Sequence, residues 1–148
     1  MKVQGSIDIA APPEKIWPFL VEPEKILKWV ITFKKFEYTS EQCSGVGTPI
    51  YVEEKAGPTP LMKLNFKVTE WVENERLAYS MTSGSGVKRY EISETIEATP
   101  TGSKFTFMEN VELPWGIVGK LLGSFGRRTA EGHLQECLAN KLKSLAEA

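Results

Sequence analysis

The sequence predicts an α+β fold in which a seven-stranded antiparallel sheet packs against a long C-terminal helix. Seven segments alternate apolar and polar residues with the period of two that is typical of half-buried strands. Two short helical segments lie between the first and second of these strands, and helical periodicity returns after residue 115. Because 148 residues is the size of one ordinary domain, we expect a single domain over 1–148.

The first strand and two short helices account for the N-terminal part of the chain. Apolar and polar residues alternate over 2–10, which predicts strand one. The tetrapeptide Pro-Glu-Lys-Ile then occurs twice, starting at Pro13 and at Pro23. Proline at a first helical position loses no hydrogen bond, and the following glutamate lies at the positive end of the helix dipole. These features predict helices over 13–20 and 23–29.

Six further strands follow, separated by short polar or glycine-containing turns. The clearest turn is Thr-Pro-Thr-Gly at 99–102, where proline suits the second turn position and glycine permits a positive φ. Short loops between successive strands favour an antiparallel meander. The predicted strands cover 33–41, 48–55, 60–72, 77–82, 87–99 and 103–113.

Helical periodicity in the C-terminal part changes its phase. One apolar stripe contains Val118, Leu121, Leu122 and Phe125, and a displaced stripe contains Ala130, Leu134, Cys137, Leu138, Lys141 and Leu145. Four glycines cluster where the phase shifts, and each lowers helix stability by up to about 1 kcal/mol relative to alanine. We expect a short helix near 115–122 and a long helix over about 125–146.

Composition and charge exclude several classes of function. Hydrophobic residues make up 41% of the chain, charged residues 25%, and the formal net charge is −1. A near-neutral chain offers no basic field for nucleic acid, so we expect no such partner. The sequence contains no run of about 18 apolar residues, the length that a membrane span needs, and its N-terminus forms no apolar signal region. We therefore expect a cytoplasmic protein.

Cysteine and histidine do not predict a metal or a disulfide. Cys43 and Cys137 lie far apart in a chain without an export signal, so free thiols are expected. His133 lies four residues before Cys137, which is one helical turn. A zinc site needs three or four ligands, and no further Cys or His is near in sequence. We expect no metal and no cofactor, with His133 packing or hydrogen bonding near the interior.

The whole chain resembles one known superfamily. The residues that carry the resemblance are IDIAAPPEKIWPFLVEPEKILKW at 7–29, GVGT at 45–48, VTEWVENERLAYS at 68–80 and SETIEATPTGSKFTF at 93–107. In these stretches and in the order of its elements the chain is similar to the START-like, or SRPBCC, superfamily, and within it to small polyketide cyclase/dehydrase-like domains. The resemblance implies the helix-grip fold, in which a curved sheet wraps around the last helix. A helix-breaking Pro18 departs from the pattern of many relatives.

The resemblance also implies a hydrophobic cavity between the sheet and the long helix. Relatives use it for lipids, sterols, quinones, plant hormones or polyketide intermediates; most bind or carry, and some catalyse. Aromatic residues and methionines on inward faces would line it, and methionine adapts to varied apolar ligands. The predicted ligand-binding residues are Trp29, Met62, Leu64, Phe66, Tyr79, Met81, Tyr90, Ile92, Phe107, Trp115, Val118, Leu122, Phe125 and His133. The segment 115–126 and the loops near 56–60 and 83–86 would form its gate.

Three glutamates interrupt apolar strand faces in phase: Glu70, Glu94 and Glu109. A carboxyl in a dry pocket has a raised pKa and can serve as acid, base or polar anchor. If Thr101-Gly102 forms a two-residue loop, Glu94 and Glu109 face each other across strands. If the turn is type I with a glycine bulge, the register slips and the pairing is lost. The alternative for all three is a purely structural position at the cavity rim, in solvent or beside a Lys or Arg partner.

Three classes of function remain open. The leading prediction is a carrier that encloses a small hydrophobic or amphipathic molecule, such as a lipid, quinone or polyketide-like compound. The second is a cyclase or dehydratase-like enzyme with Glu94, Glu109, Tyr79 or Tyr90 as acid/base groups. The third is a module that binds a protein partner through a sheet edge or the short helices. Arg127 and Arg128, early in the long helix, are either solvated or contact an anionic head group. The sequence leaves a monomer and a weak dimer both open.

Overall fold

The computed structural model describes residues 2–55, 60–112 and 138–148. Over these residues the predicted α+β helix-grip architecture is confirmed. The strands are β1 (Lys2–Ile9), β2 (Phe33–Tyr38), β3 (Pro49–Glu54), β4 (Met62–Val72), β5 (Arg76–Gly84), β6 (Arg89–Thr99) and β7 (Gly102–Glu112). The helices are α1 (Pro13–Ile16), α2 (Pro18–Val21), α3 (Pro23–Trp29) and α4 (Asn140–Glu147).

The seven strands form one curved antiparallel sheet in the order β1-β7-β6-β5-β4-β3-β2. Strands β2 to β7 pair with their sequence neighbours, because their connections are too short for a crossover. Strand β1 adds to the far edge beside β7, so the helical segments span from one edge of the sheet to the other. The buried face of the sheet carries the core, which includes Leu64, Phe66 and Phe105.

The first predicted helix is two separate turns. Pro18 has no N–H to donate to Glu14, so α1 ends at Ile16 and α2 begins at Pro18 itself. Pro23 opens α3 in the same way that Pro13 opens α1, so the repeated tetrapeptide is the same helix start used twice. The Trp29 indole N–H donates to the Phe19 carbonyl at 2.7 Å and fixes α3 against α2.

The inward phase of β4 differs from the prediction. The register with β5 shifts between Val68 and Glu70, and this irregularity turns Trp71 inward in place of its neighbours. Trp71 packs edge-on against Trp17 with 5.5 Å between ring centroids. Glu70 is exposed and pairs with Arg76, which is the alternative that the sequence left open for it, and Val72 is exposed as well.

The register of the β6–β7 hairpin sets the relative position of Glu94 and Glu109. Thr99 pairs with Gly102, so Pro100 and Thr101 are the two turn residues. This register places Glu94 opposite Phe107 and Glu109 opposite Ile92, and the direct Glu94–Glu109 pairing does not occur. The two carboxyls are instead diagonal neighbours on one face of the sheet.

The C-terminal helix is described from residue 138 onward and lies against β1 and α3. Leu138, Leu142 and Ala146 are its buried stripe, whereas Lys141 of the predicted stripe is exposed. The Ala10 N–H donates to Glu147 Oε2 at 2.8 Å and ties this helix to the end of β1. The predicted helix over 115–122 and the start of the long helix lie outside the described residues. None of the described helices is long and apolar enough to cross a membrane.

Candidate functional site

A pocket opens on the buried face of the sheet, between α3 and strands β5, β6 and β7. The space in it that a water-sized sphere can occupy is about 30 Å³, within a wider hollow of about 360 Å³ that includes open solvent. Most of the wall is apolar and aromatic, and the exceptions are two carboxyls and one phenol. The lining residues are Trp29, Val30, Phe33, Tyr79, Ile92, Glu94, Phe107, Glu109 and Leu138.

Strand alternation brings both carboxyls into this pocket. Glu94 shares its face of β6 with Ile92 and Ile96, and Glu109 shares its face of β7 with Phe107. As diagonal neighbours across the β6–β7 pair, their Cβ atoms are separated by roughly 7 Å, which lets their carboxyl groups interact.

Glu94 is the most deeply buried acid of the pocket, with 5% of its surface exposed. Its Oε2 atom has no hydrogen-bond partner among the described residues. Burial, and secondly the nearby Glu109 carboxyl, raise the pKa of Glu94 to about 8. At neutral pH this side chain is therefore mostly a neutral carboxylic acid, able both to donate and to accept a hydrogen bond.

Glu109 is half-buried and has a similar pKa for related reasons. Burial is the main cause that raises the pKa of Glu109 to about 8, and the Glu54 carboxyl adds to it. Interaction with the Tyr90 hydroxyl acts in the opposite direction and lowers this pKa. Both pocket carboxyls are thus protonated at pH values where exposed glutamates are charged.

Glu54 at the end of β3 is a third buried acid, and sequence reasoning missed it. Its exposed fraction is 7%, and the Thr32 hydroxyl donates to its Oε2 at 3.0 Å. Burial raises the pKa of Glu54, while the Thr32 and Tyr90 hydroxyls lower it. The sequence did indicate that Glu54 lies on the inward face of β3, because it continues the alternation of Ile50 and Val52.

Three tyrosines complete the polar part of the site. Burial raises the pKa of Tyr79 and Tyr90 well above the ordinary phenol value, and the nearby glutamates raise it further. Burial also raises the pKa of Tyr38, whose hydroxyl donates to the Val21 carbonyl. All three phenols are therefore neutral, and they act as hydrogen-bonding groups.

Within the described segments, the ion pairs formed by lysine and arginine lie on the surface, and none of them involves Glu54, Glu94 or Glu109. No three His, Cys, Asp or Glu residues of these segments are arranged to hold a metal. The arrangement can hydrogen-bond a polar group, donate a proton, or neutralise a positive charge in apolar surroundings.

The predicted ligand-binding residues fall into three groups. Trp29, Tyr79, Ile92 and Phe107 line the pocket, together with the catalytic candidates Glu94 and Glu109. The predicted residues that pack in the core beside it are Met62, Leu64, Phe66, Met81 and Tyr90. Those outside the described residues are Trp115, Val118, Leu122, Phe125 and His133. Val30, Phe33 and Leu138 line the pocket and were not predicted.

The aromatic residues of the pocket hold each other in place. Trp29 meets Phe105 edge-on with ring centroids 5.9 Å apart, and Phe105 lies 6.2 Å from Phe107. Gly5 lies opposite Phe107 in the β1–β7 pair, and a Cβ at Gly5 would come within 2.8 Å of the Phe107 ring. The absence of a side chain at Gly5 therefore makes room for this part of the pocket wall.

Comparison with known proteins agrees with this architecture. A protein from Thermus thermophilus superposes with a TM-score of 0.80 at 19% identity, covering 99% of this chain and 97% of that chain. A START superfamily protein from Mycobacterium smegmatis superposes with a TM-score of 0.77 at 16% identity, covering 97% of this chain and 98% of that one. These likenesses establish the fold.

Sequence comparison adds the family. An uncharacterised protein of Mycobacterium tuberculosis is 24% identical over 122 residues, which are 81% of this chain and 66% of that protein. The chain thus spans slightly less than two thirds of the length of this relative. A family model described as polyketide cyclase / dehydrase and lipid transport matches residues 1–147. With its START-like fold, the chain belongs to the polyketide cyclase / dehydrase and lipid transport family.

Proposed function

We propose that this protein binds a small amphipathic molecule in the pocket between α3 and strands β5 to β7. The observation that carries the proposal is an apolar, aromatic pocket that holds one buried carboxyl oxygen, Glu94 Oε2, without a partner among the described residues. A few placed polar groups within an apolar wall are typical of small-molecule sites. Family membership supports the same class of function.

The apolar wall would take the hydrophobic part of the ligand. Trp29, Phe33 and Phe107 offer large aromatic surfaces, and Ile92 lies directly opposite Glu109 on the face of β6 that also carries Glu94. Covering apolar surface contributes about 25 cal/mol per Å² removed from water. The polar end of the ligand would lie at Glu94 and Glu109, which fixes its orientation.

The test is retention of a ligand by purified protein and its loss on filling the pocket. Native mass spectrometry of protein isolated without denaturant should show an added mass that organic extraction removes. Ile92→Phe adds bulk to the pocket wall and should lower occupancy about tenfold or more. The matched control is Val72→Phe, at an exposed position outside the pocket, and it should retain the ligand.

Two results would contradict binding in this pocket. One is equal occupancy in Ile92→Phe and wild type, with thermal melting showing that both are folded. The other is that no ligand mass is retained and that protein freed of any retained ligand binds no small aromatic probe, such as naphthylethanol.

A second candidate is acid catalysis on a polyketide-like substrate, which the raised pKa of Glu94 and of Glu109 favours. A general acid must be protonated, so activity should be present below the pKa of about 8 and fall as pH rises through it. For a substrate identified from the retained ligand, Glu94→Gln and Glu109→Gln should abolish turnover and preserve binding. Unchanged turnover in both variants would remove the two carboxyls as catalysts.

A further inference from the structure

The ionisable groups described in and around the pocket are all acids, either carboxyls or phenols. Glu94 and Glu109 line the pocket, Tyr79 lies beside them, and Glu54 and Tyr90 interact with Glu109 from the adjoining part of the sheet. Among the described residues, the groups that shift the pKa of Glu94 or Glu109 by charge or hydrogen bonding are carboxyls or phenols: Glu109 acts on Glu94, and Glu54 and Tyr90 act on Glu109. The described part of the site therefore gathers potential negative charge without a balancing cation.

Glu94 shows that this cluster is incomplete. A carboxyl that is 5% exposed, with one oxygen that accepts no hydrogen bond from the described segments, carries a desolvation cost that a partner would remove. That oxygen belongs to a side chain that lines the pocket, so the missing partner can be supplied by a bound molecule.

The charge of the ligand's polar end decides how well it fits. A carboxylate or phosphate placed there could accept a hydrogen bond from a neutral carboxyl, but it has no donor for a carboxyl oxygen, and its charge would oppose the ionisation of both acids. A hydroxyl would gain ordinary hydrogen bonds. An ammonium group carries up to three N–H donors and would form charge-assisted bonds to both carboxyls, which are roughly twice as strong as neutral ones.

We infer that the ligand is an amphipathic amine, bound as its ammonium form between Glu94 and Glu109 with its apolar body against Trp29 and Phe107. This inference rests on the proposed function, because it names the chemical class of ligand for the same pocket. The diagonal placement of the two carboxyls on β6 and β7 lets one ammonium contact both.

Binding of the ammonium form must release protons. At pH 7 the two carboxyls are mostly neutral, since the pKa of each is about 8. An ammonium that binds to a carboxylate displaces the proton of that carboxyl to the buffer, so one proton leaves for each carboxyl that ionises. Amine affinity should therefore rise with pH up to about 8 and level off while the amine itself stays protonated.

The titratable groups around this site come from several strands. Glu109 on β7 acts on Glu94, Glu54 on β3 and Tyr90 on β6 act on Glu109, and Tyr79 on β5 faces all three acids. Tyr38 on β2 interacts electrostatically with both Tyr79 and Glu94. The phenols stay neutral over the relevant range because burial raises the pKa of each, so among the described groups of the site the carboxyls account for the pH dependence.

Three probes with one apolar body and different polar ends test the inference: naphthylethylammonium, naphthylethanol and naphthylacetate. Affinities are measured by titration calorimetry at pH 6, 7 and 8.5 on protein freed of any retained ligand. Each titration is repeated in two buffers with different ionisation enthalpies, because the difference in heat reports the number of protons released. We expect the ammonium to bind about tenfold tighter than the alcohol at pH 8.5, with a smaller preference at pH 6. The acetate should bind more weakly than the alcohol.

Glu94→Gln and Glu109→Gln keep the shape of each side chain and remove its ionisation. Each should reduce the ammonium preference and the proton release, and leave the affinity for the alcohol within about twofold. Glu97→Gln, at an exposed position on the opposite face of β6, is the matched control and should behave as wild type.

The outcomes separate the two proposals. If the alcohol binds as tightly as the ammonium at every pH, or if the preference persists in both pocket variants, the amine inference is overturned while pocket binding stands. If none of the three probes binds to folded protein, ligand binding in this pocket and the amine inference both fail.

Discussion

Glu94 is a buried carboxyl, and one of its oxygens is shielded from solvent and has no hydrogen-bond partner among the described residues. Its raised pKa has two causes, burial and the neighbouring Glu109 carboxyl, with burial the larger. Neutral glutamic acid is the state that such surroundings favour. The properties of this residue follow from what surrounds it, since exposed glutamates elsewhere in the chain form ordinary ion pairs.

Removing the charge of Glu109 should separate these two causes. In Glu109→Gln the pKa of Glu94 is expected to fall from about 8 but to stay above the ordinary 4.5, because burial remains. Carboxyl-carbon NMR titration of selectively labelled protein measures this pKa directly. Glu97→Gln should leave it unchanged, and a Glu94 pKa that is the same in Glu109→Gln as in wild type would show that the two carboxyls do not interact.

The strand pairs decide which side chains form the pocket wall. The β6–β7 register sets the diagonal placement of Glu94 and Glu109, and the β1–β7 register places Gly5 beneath Phe107. In β4, a register shift moves Glu70 to the surface and brings Trp71 inward against Trp17. A one-residue change in pairing therefore exchanges the residues on the two faces.

Gly5→Ala tests the role of the β1–β7 pair. The added Cβ would lie 2.8 Å from the Phe107 ring, so the ring must move. We expect a loss of about 1–3 kcal/mol in the free energy of unfolding and weaker binding of naphthylethylammonium. Urea denaturation and calorimetry measure the two effects. Gln4→Ala, at the adjacent exposed position, should change neither by much, and full stability and binding in Gly5→Ala would show that this close approach is not required.

At the scale of the whole molecule, the buried acids couple stability to pH in an unusual direction. The folded protein keeps protons on Glu94 and Glu109 up to about pH 8, whereas the unfolded chain releases them near the ordinary pKa of 4.5. Their contribution to stability is therefore fully present below about pH 4.5 and is lost as pH rises through 8. Burial raises the pKa of Glu54 as well, which acts in the same direction.

The free energy of unfolding should thus fall as pH rises from 5 to 8, by at least about 1 kcal/mol over this range, because the unfolded chain releases protons that the folded protein keeps. The double variant Glu94→Gln with Glu109→Gln should show a much flatter dependence. Urea denaturation at pH 5, 6, 7 and 8 measures both proteins. Parallel pH dependence in wild type and double variant would mean that the folded state does not hold these protons.

Much of this molecule can be predicted from its sequence, because alternation and helix starts are local properties. Seven strands, the proline-initiated helices and the inward phase of Glu94 and Glu109 all follow from residues close together in the chain. The inward position of Glu54 could also have been predicted, because it continues the buried alternation of β3, but the sequence analysis did not identify it. The split at Pro18 also has a local cause.

Tertiary structure alone decided the rest. The hairpin register, the irregularity in β4 and the convergence of Glu54 with Glu109 depend on hydrogen bonding between strands and on the curvature of the sheet. The pKa of each buried acid depends on neighbours contributed by several strands and on the water they exclude. The sequence by itself determined which residues could face inward. Only the folded sheet determined which of them meet, because distances between strands are set by pairing and curvature and not by the alternation within any one strand.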